Sequence, residues 1–156
     1  MIRQAGPDDA PAIAEIWNEV IRTSTITFTT HEKSHADMET LIAERVCIVA
    51  EDPVGVAGFV TYGPFRSGPG YRFTAEHSVY VRSDARGAGH GAALMAAVEA
   101  RAVDAGIRVL VAGIGGENPR AQAFHARLGF GLAGELPDVG EKFGRSQTLI
   151  LMTKKL

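Results

Sequence analysis

Tyr80-Val81-Arg82-Ser83-Asp84-Ala85-Arg86-Gly87-Ala88-Gly89-His90-Gly91-Ala92-Ala93-Leu94 is the stretch on which the fold turns. Strand-forming residues run into a glycine-rich turn, and the turn opens onto a helix-forming run. Glycine tolerates positive φ and carries no Cβ, so an anion can approach the backbone closely there. The unpaired N–H groups of a helix start, with the helix dipole behind them, make a site for phosphate oxygens. A plain strand-to-helix turn that needs flexible residues would also explain the glycines. A nucleotide-binding Rossmann turn fits poorly, because the spacing is Gly87-x-Gly89-x-Gly91 and no acidic residue ends the following strand. The nearest downstream acid, Glu117, stands one residue before a helix cap. A P-loop is excluded because no Gly-Lys-Ser/Thr follows.

Working outward, Arg72 to Val81 reads as the strand entering the turn, with Val79 and Val81 alternating against Ser78 and Tyr80. The helix after it runs from Gly89 to about Ala105, with Leu94, Ala97, Val98 and Ala102 on one side and Gly106 as its stop. Arg108 to Gly113 is a buried strand. Asn118-Pro119 starts a helix whose apolar stripe is Ala121, Phe124 and Leu128, and Gly129 ends it. Gly131 to Leu136 and Gln147 to Thr153 complete the chain as strands. On the N-terminal side, residues 1–5 form a short strand. Asp8 or Asp9 caps a helix that buries Ile13, Ile16, Trp17, Val20 and Ile21 at helical spacing. Thr23 to Thr30 is a hydroxyl-rich break around Phe28. Ser34 opens a second helix carrying Met38, Leu41 and Ile42 and ending near Arg45. Cys47 to Glu51 and Val54 to Tyr62 flank an Asp52-Pro53 turn and read as a hairpin, followed by a Gly63 to Gly70 loop. The resulting order is β-α-α-β-β-β-α-β-α-β-β, a single α/β (α+β) domain over residues 1–156 in which helices pack on a mixed sheet.

Bulk properties agree. A chain of 156 residues has room for one real core, and 46% hydrophobic with 22% charged residues is a globular balance. A formal charge of −2 gives no electrostatic case for nucleic acid or an anionic membrane. No apolar run approaches the roughly 18 residues of a membrane helix, and Met1 to Asp9 lacks the apolar core of a signal peptide, so the cytoplasm is the expected compartment. Cys47, the single cysteine, lies in the apolar run Val46 to Ala50 and reads as a core residue with no basic partner nearby. Five scattered histidines offer no metal-ligand spacing, so no metal is expected.

Arg86-x-x-Gly89-x-Gly91 resembles the pyrophosphate-binding motif of the GNAT acetyltransferase superfamily. The likeness extends to Glu76 through Val81, to Asn118 through His125 and Gly129-Phe130, and to Val139 through Gly144. These segments are similar to the phosphinothricin acetyltransferase-like branch, which includes amino-acid and methionine sulfoximine N-acetyltransferases. The resemblance implies a mixed, mostly antiparallel twisted sheet with helices on both faces. It also implies acetyl-CoA as co-substrate and a homodimer; this chain places Phe65, Tyr71 and Phe73 near an exposed loop, and the contact is expected close to the acceptor pocket. Val79, Tyr80, Val81, Arg86, Gly87, Ala88, Gly89, His90 and Gly91 fall on the cofactor-binding segment, with binding by the backbone of the turn and His90 itself exposed. Asn118 caps its helix and, on the family pattern, also bonds the pantetheine amides. Two departures concern the acceptor side: Ser146 and Thr148 stand where Trp and Asp are usual, and Gly68 stands where a second Arg is common.

The chemistry implied is direct transfer to an amine. A model α-amine is about nine-tenths protonated at pH 7 and needs a base. Glu76 matches the family's proposed base, and His125 occupies the helical site where many relatives carry a Tyr proposed to protonate the thiolate. His77 faces the other side of the strand by the two-residue period and is the weaker candidate. Phe28, Arg66, Tyr71, Lys142 and Arg145 are the acceptor-side candidates, an Arg fork suiting a substrate carboxylate. The acceptor is expected to be a small amino-acid-like amine. The alternatives are a peptide or protein amine, or a non-catalytic acyl-CoA sensor on the same fold, for which both Glu76 and His125 would be superfluous. Gly89→Val places a Cβ where the pyrophosphate should approach. Calorimetry on the folded variant should show acetyl-CoA affinity reduced at least tenfold, about 1.4 kcal/mol.

Overall fold

The computed structural model describes residues 1–156, and the elements follow the expected order. They are β1 (Ile2–Gln4), α1 (Ala10–Thr23), α2 (His35–Glu44), β2 (Cys47–Asp52), β3 (Gly55–Pro64), β4 (Thr74–Val81), α3 (His90–Asp104), β5 (Val109–Gly115), α4 (Pro119–Arg127), β6 (Gly131–Lys142) and β7 (Arg145–Lys155). One sheet takes the strands in the order β1-β2-β3-β4-β5-β7-β6. Every pairing is antiparallel except that of β4 with β5, which is parallel.

The period-2 alternation of the strands divides the core between the two faces. Ile48 and Ala50 of β2 join Val60, Ala75, Leu110, Ala112, Ile150 and Met152 beneath Leu94, Met95, Val98 and Ala102 of α3. Cys47 and Val49, one residue out of phase, join Phe59 under Ile13, Ala14 and Ile16 of α1 and Met38 of α2. The Trp17, Phe59 and Tyr80 rings lie 5.4–5.6 Å apart and tie α1 to β3 and β4. Cys47 is fully buried, and that burial pushes its thiol up to about 12.

Several boundaries differ from the expectations, each for a local reason. Asp9 does not cap α1 with its side chain; its carboxylate turns back to the Gly6 N–H and pairs with Arg3 at 2.7 Å, closing a 3-10 turn over Pro7–Asp9. Ser34 does cap α2, and Asp37 completes a reciprocal capping box with it. β4 begins at Thr74 rather than Arg72, because a 3-10 turn over Pro69–Tyr71 uses the preceding chain. β5 continues two residues past Gly113, and β3 starts at Gly55 and extends to Pro64. β6 reaches Lys142 despite Pro137 and a positive φ of 59° at Asp138. It is an edge strand, and an irregularity between Leu136 and Gly140 absorbs the residues that cannot pair.

One feature of register prepares the site. β4 and β5 pair only from Thr74↔Val109 to His77↔Ala112. β4 then continues to Val81 against β3 alone, and β5 to Gly115 against β7 alone. The sheet is therefore split between Ser78–Val81 and Gly113–Gly115.

Candidate active site

The split opens into a cleft of about 410 Å³ on the side carrying α3 and α4. Val79, Tyr80, Val81, Arg86, Gly87, Gly89, His90, Gly91 and Asn118 line it, so of the expected cofactor residues only Ala88 stands apart. Gly89 takes φ 87°, as the turn into α3 requires, and no side chain caps the helix. The first N–H groups of α3 thus have neither an intrahelical acceptor nor a side-chain partner, the arrangement that binds phosphate. A Cβ on Gly89 would meet nothing in the protein and would project into open space, whereas one on Gly91 would press the Phe124 ring at 3.2 Å. His90 is half-buried as the first residue of α3 rather than exposed. Arg120 and Arg127 of α4 join Arg86 along the cleft, adding cations that no motif spacing had marked. Asn118 accepts from the Ala121 N–H at 3.1 Å, so it caps α4 while its side borders the cleft.

Deeper in, a chamber of about 70 Å³ lies between the diverging strands, lined by His77, Ser78, Gly113, Ile114, Asn118 and His125 among others. Ile26, Val79, Tyr80 and Ala121 border both spaces, so the cleft leads into the chamber. Ile26 is brought there by the 24–28 segment, which the β6–β7 hairpin holds down. The Lys142 ammonium donates to the Ser24 carbonyl at 2.6 Å and the Thr27 carbonyl at 2.8 Å. Phe28 lies against Gly140 and Gly115, where a Cβ would stand 2.5 Å and 3.4 Å from its ring.

His77 and His125 are both 5% exposed, and their Nε2 atoms are 2.9 Å apart. The strand period does send His77 to the face opposite Glu76, but that is the face on which α4 delivers His125. His125 Nδ1 lies 2.8 Å from the Ala121 carbonyl, which only accepts, so Nδ1 carries the hydrogen. In the neutral ring Nε2 is then a lone pair, and the hydrogen between the rings belongs to His77 Nε2. His77 Nδ1 is left buried without a hydrogen bond. Burial and the neighbouring His125 push His77 down to about 3, with the nearby Val111 backbone opposing the shift, and burial lowers His125 as well. The pair is uncharged at neutral pH.

Glu76 is on the α1 and α2 face, paired with Gly63 on β3 and Val111 on β5. Its carboxylate lies over Gly113, where a Cβ would stand 2.9 Å from Oε1. The carboxylate makes no hydrogen bond or salt bridge, and partial enclosure by the strands raises its pKa above the ordinary carboxylate range. Gly113 also lines the chamber, so Glu76 and the histidine pair flank the same opening from opposite faces.

The sequence matches the acetyltransferase (GNAT) family over residues 13–130. The chain belongs to that family. It is 38% identical to an L-methionine sulfoximine/L-methionine sulfone acetyltransferase of Pseudomonas paraeruginosa, over 99% of this chain and 94% of the relative. A crystal structure of a ribosomal-protein-alanine N-acetyltransferase from Brucella melitensis superposes with a TM-score of 0.96 at 35% identity, covering 100% of this chain and 99% of that one. A phosphinothricin acetyltransferase from Sinorhizobium meliloti, solved in complex with acetyl-CoA, gives 0.93 at 33% identity, covering 100% and 88%. This acetyltransferase is thus matched along its length by enzymes of one chemistry.

The acceptor-side candidates are not gathered in one place. Phe28 and Lys142 meet at the held-down segment, and Lys142 is buried with its ammonium engaged by carbonyls. Arg145 forms a forked ion pair with Glu117 at 2.7–3.2 Å. Arg66 lies over the Phe65 ring at 5.5 Å, and Tyr71 meets the same ring edge-on. Gly113, which supports the Glu76 carboxylate, was not singled out from the sequence, because a glycine within a strand carries no spacing signal. In the acetyltransferase, Gly113→Ala should displace that carboxylate and lower kcat by about 10- to 100-fold. Steady-state kinetics, with acetyl-CoA affinity measured alongside, should find binding within about threefold of the parent; kcat within twofold would show that Gly113 does not hold Glu76.

Proposed function

We propose that this enzyme transfers the acetyl group of acetyl-CoA directly to the amine of a small amino-acid-like substrate. The observation that carries the reading is the opening in the sheet. On one side a helix start with uncapped N–H groups leads along a cleft, and on the other an unpaired carboxylate with a raised pKa stands at the same gap. From Glu76 to Val81 is five strand steps, about 17 Å. That span suits a ligand with its pyrophosphate at α3 and its reactive end beside Gly113. Acetyl-CoA, when bound, supplies the activated acyl group at that inner end.

Val79, Tyr80 and Val81 have backbone groups on the β5 side with no strand partner, and these are the groups that would bond an extended amide-bearing arm. Glu76 takes the proton of the acceptor amine, directly or through a water. A partner-free carboxylate with a pKa nearer neutrality is well suited to this task. His125 has no proton to give while the pair is neutral, since Nδ1 donates to Ala121 and Nε2 accepts from His77. Its part at the resting pH is to close the inner end of the cleft; donation requires the pair to be charged first. The lone thiol is buried, so transfer needs no acyl-enzyme. The two L-methionine sulfoximine/sulfone and phosphinothricin relatives are named for small amino-acid acceptors, and their likeness supports the same class here. The ribosomal-protein-alanine neighbour favours including a peptide amine as the second reading.

We also infer a symmetric homodimer. Tyr71 is exposed, but Phe73 is covered by the Arg72 and Arg108 guanidinium groups at 4.3 and 4.1 Å. The larger apolar surface is on β6, where Leu132, Leu136 and Val139, with Phe143 just beyond the strand, are 42–65% exposed on an edge strand. That strand also bears Lys142 and Gly140 beneath the 24–28 segment, so a contact there lies close to the site. Light scattering at micromolar concentration should give twice the chain mass; a monomeric mass with full activity rejects the dimer.

The central test is thiol release from acetyl-CoA with amino acids, methionine sulfone, methionine sulfoximine, phosphinothricin and short peptides. Release with one or more free amino acids is expected. Release with peptides alone would establish the second reading, and none with any amine would leave an acyl-CoA sensor. With the best acceptor, Glu76→Gln should lower kcat by at least about 10² while acetyl-CoA affinity is nearly intact. In the parent, kcat/KM should fall as pH drops through a Glu76 pKa above the ordinary carboxylate value of about 4.3. Turnover of Glu76→Gln within threefold of the parent would remove Glu76 from the role of base.

A further inference from the structure

Both ring nitrogens of His125 are occupied, and the chain dictates how. Ala121 lies one helical turn earlier on α4, and its carbonyl, which only accepts, takes the hydrogen of His125 Nδ1 at 2.8 Å. Nε2 is then the lone pair of the neutral ring, and it faces His77 Nε2 at 2.9 Å. His77 must therefore carry its hydrogen on Nε2, because the other neutral form would set two lone pairs against each other at that distance. With Nδ1 turned to its own helix and Nε2 turned to β4, His125 shows the cleft and the chamber only the carbon edges of its ring. His77 adds no polar atom, since its Nε2–H is donated and its Nδ1 is buried.

Nothing around the pair supports a positive charge. The Phe130 ring stands 5.4 Å from His77 and 5.1 Å from His125, and the Phe124 ring meets His125 edge-on at 5.2 Å. On β4, Glu76 points to the opposite face of the sheet, and β5 brings only Ala112 and the Val111 backbone. From β7 the Lys154 ammonium reaches the Phe130 ring at 6.0 Å and is held by Glu99 of α3 at 2.7 Å. Arg120 and Arg127 of α4 are further cations lining the cleft. No carboxylate bonds either imidazole, and burial pushes His77 down to about 3 and lowers His125. A proton added without breaking the bond between the rings could go only to His77 Nδ1, which is sealed in. His125 itself can be charged only if that bond breaks.

We propose that His77 is a positioning residue, whose donated hydrogen keeps His125 an uncharged, carbon-faced wall of the inner chamber and leaves Glu76 as the only group there that exchanges a proton at working pH. The kinetic consequence rests on the acetyl-transfer reading above, whereas the state of the two rings does not. An imidazolium at the gap would favour the ionised form of the Glu76 carboxylate and so weaken it as a base. It would also set a charge where the acyl end of the co-substrate needs an apolar surface.

The test exploits the difference between two amides. Gln at position 77 sets its amide nitrogen near the place of Nε2 and can donate to His125, whereas Asn sets it near the place of Nδ1 and cannot. Nitrogen NMR of the parent imidazoles should find the hydrogen of His125 on Nδ1 and that of His77 on Nε2, with neither ring titrating between about pH 5 and pH 8. In His77→Asn, His125 should titrate toward the ordinary histidine value of about 6.5. The kcat/KM of that variant, relative to the parent, should fall about tenfold per pH unit below the titration point, yet lie within about threefold of the parent at about pH 8. His77→Gln should keep His125 silent and the ratio flat with pH. Circular dichroism, with acetyl-CoA affinity at about pH 8 within about threefold of the parent, shows that each variant is folded. Exchanged tautomers or a titrating pair in the parent overturns the assignment. So does an Asn variant whose loss is equal at every pH, or a Gln variant that behaves as Asn does. Should His77→Asn not fold, the parental spectra and His77→Gln decide. If the parent acetylates no amine, the reading of the previous subsection fails, and the nitrogen spectra alone decide the state of the pair.

Discussion

After His77 and Ala112, β4 and β5 cease to hydrogen-bond to each other, and both the cleft and the chamber depend on that lapse. A parallel pair needs a crossover between its strands, and here the crossover is α3, whose first turn sits where β4 ends. The two strands are held together at their beginnings and held apart at their ends, each by its outer antiparallel neighbour. Backbone groups of Ser78–Val81 are thereby exposed inside the molecule rather than at a sheet edge. Such groups must be satisfied by something, and a ligand amide is an economical partner. The same lapse connects the two faces of the sheet, so a donor on the α3 side and an acceptor on the α1 side can meet.

Charge is distributed in keeping with that geometry. The two histidines at the gap are buried, hydrogen-bonded to each other and neutral, because desolvation disfavours the cation and no carboxylate is near enough to restore it. Glu76 is far more exposed than the histidines, and its partial desolvation acts in the opposite sense: the neutral form is favoured and its pKa rises. Cations elsewhere are mostly committed. Arg82 bridges Asp52 and Asp84, Arg145 is forked onto Glu117, and Lys142 secures the segment that brings Ile26 to the chamber. Arg86, Arg120 and Arg127 are the exceptions along the cleft, each lining it without a carboxylate partner.

Much of this was legible in the residues. Alternation and helical spacing marked every strand and helix, and the capping residues Ser34 and Asn118 and the stop at Gly106 stand where their chemistry placed them. The glycine-rich turn into α3 was legible because its signal is local: spacing, φ requirement and the helix start lie within a few residues. Boundaries were misjudged where a longer-range partner took over. Asp9 answers Arg3 instead of capping α1, and β6 runs through Pro137 because, as an edge strand, it can leave residues unpaired.

What the sequence determined by itself is the order of elements, the two-faced core and the glycine-rich turn that opens α3, all consequences of contacts between neighbours in the chain. The tertiary structure alone decided which side chains share the opening. The two-residue period correctly separated His77 from Glu76, yet only the packing of α4 showed that His77's face is the one His125 occupies. Gly113 carries no side chain and so no sequence signal. Its importance is that the Glu76 carboxylate lies on it. Contacts between residues tens of positions apart are set by strand register and helix docking, and those are properties of the assembled sheet.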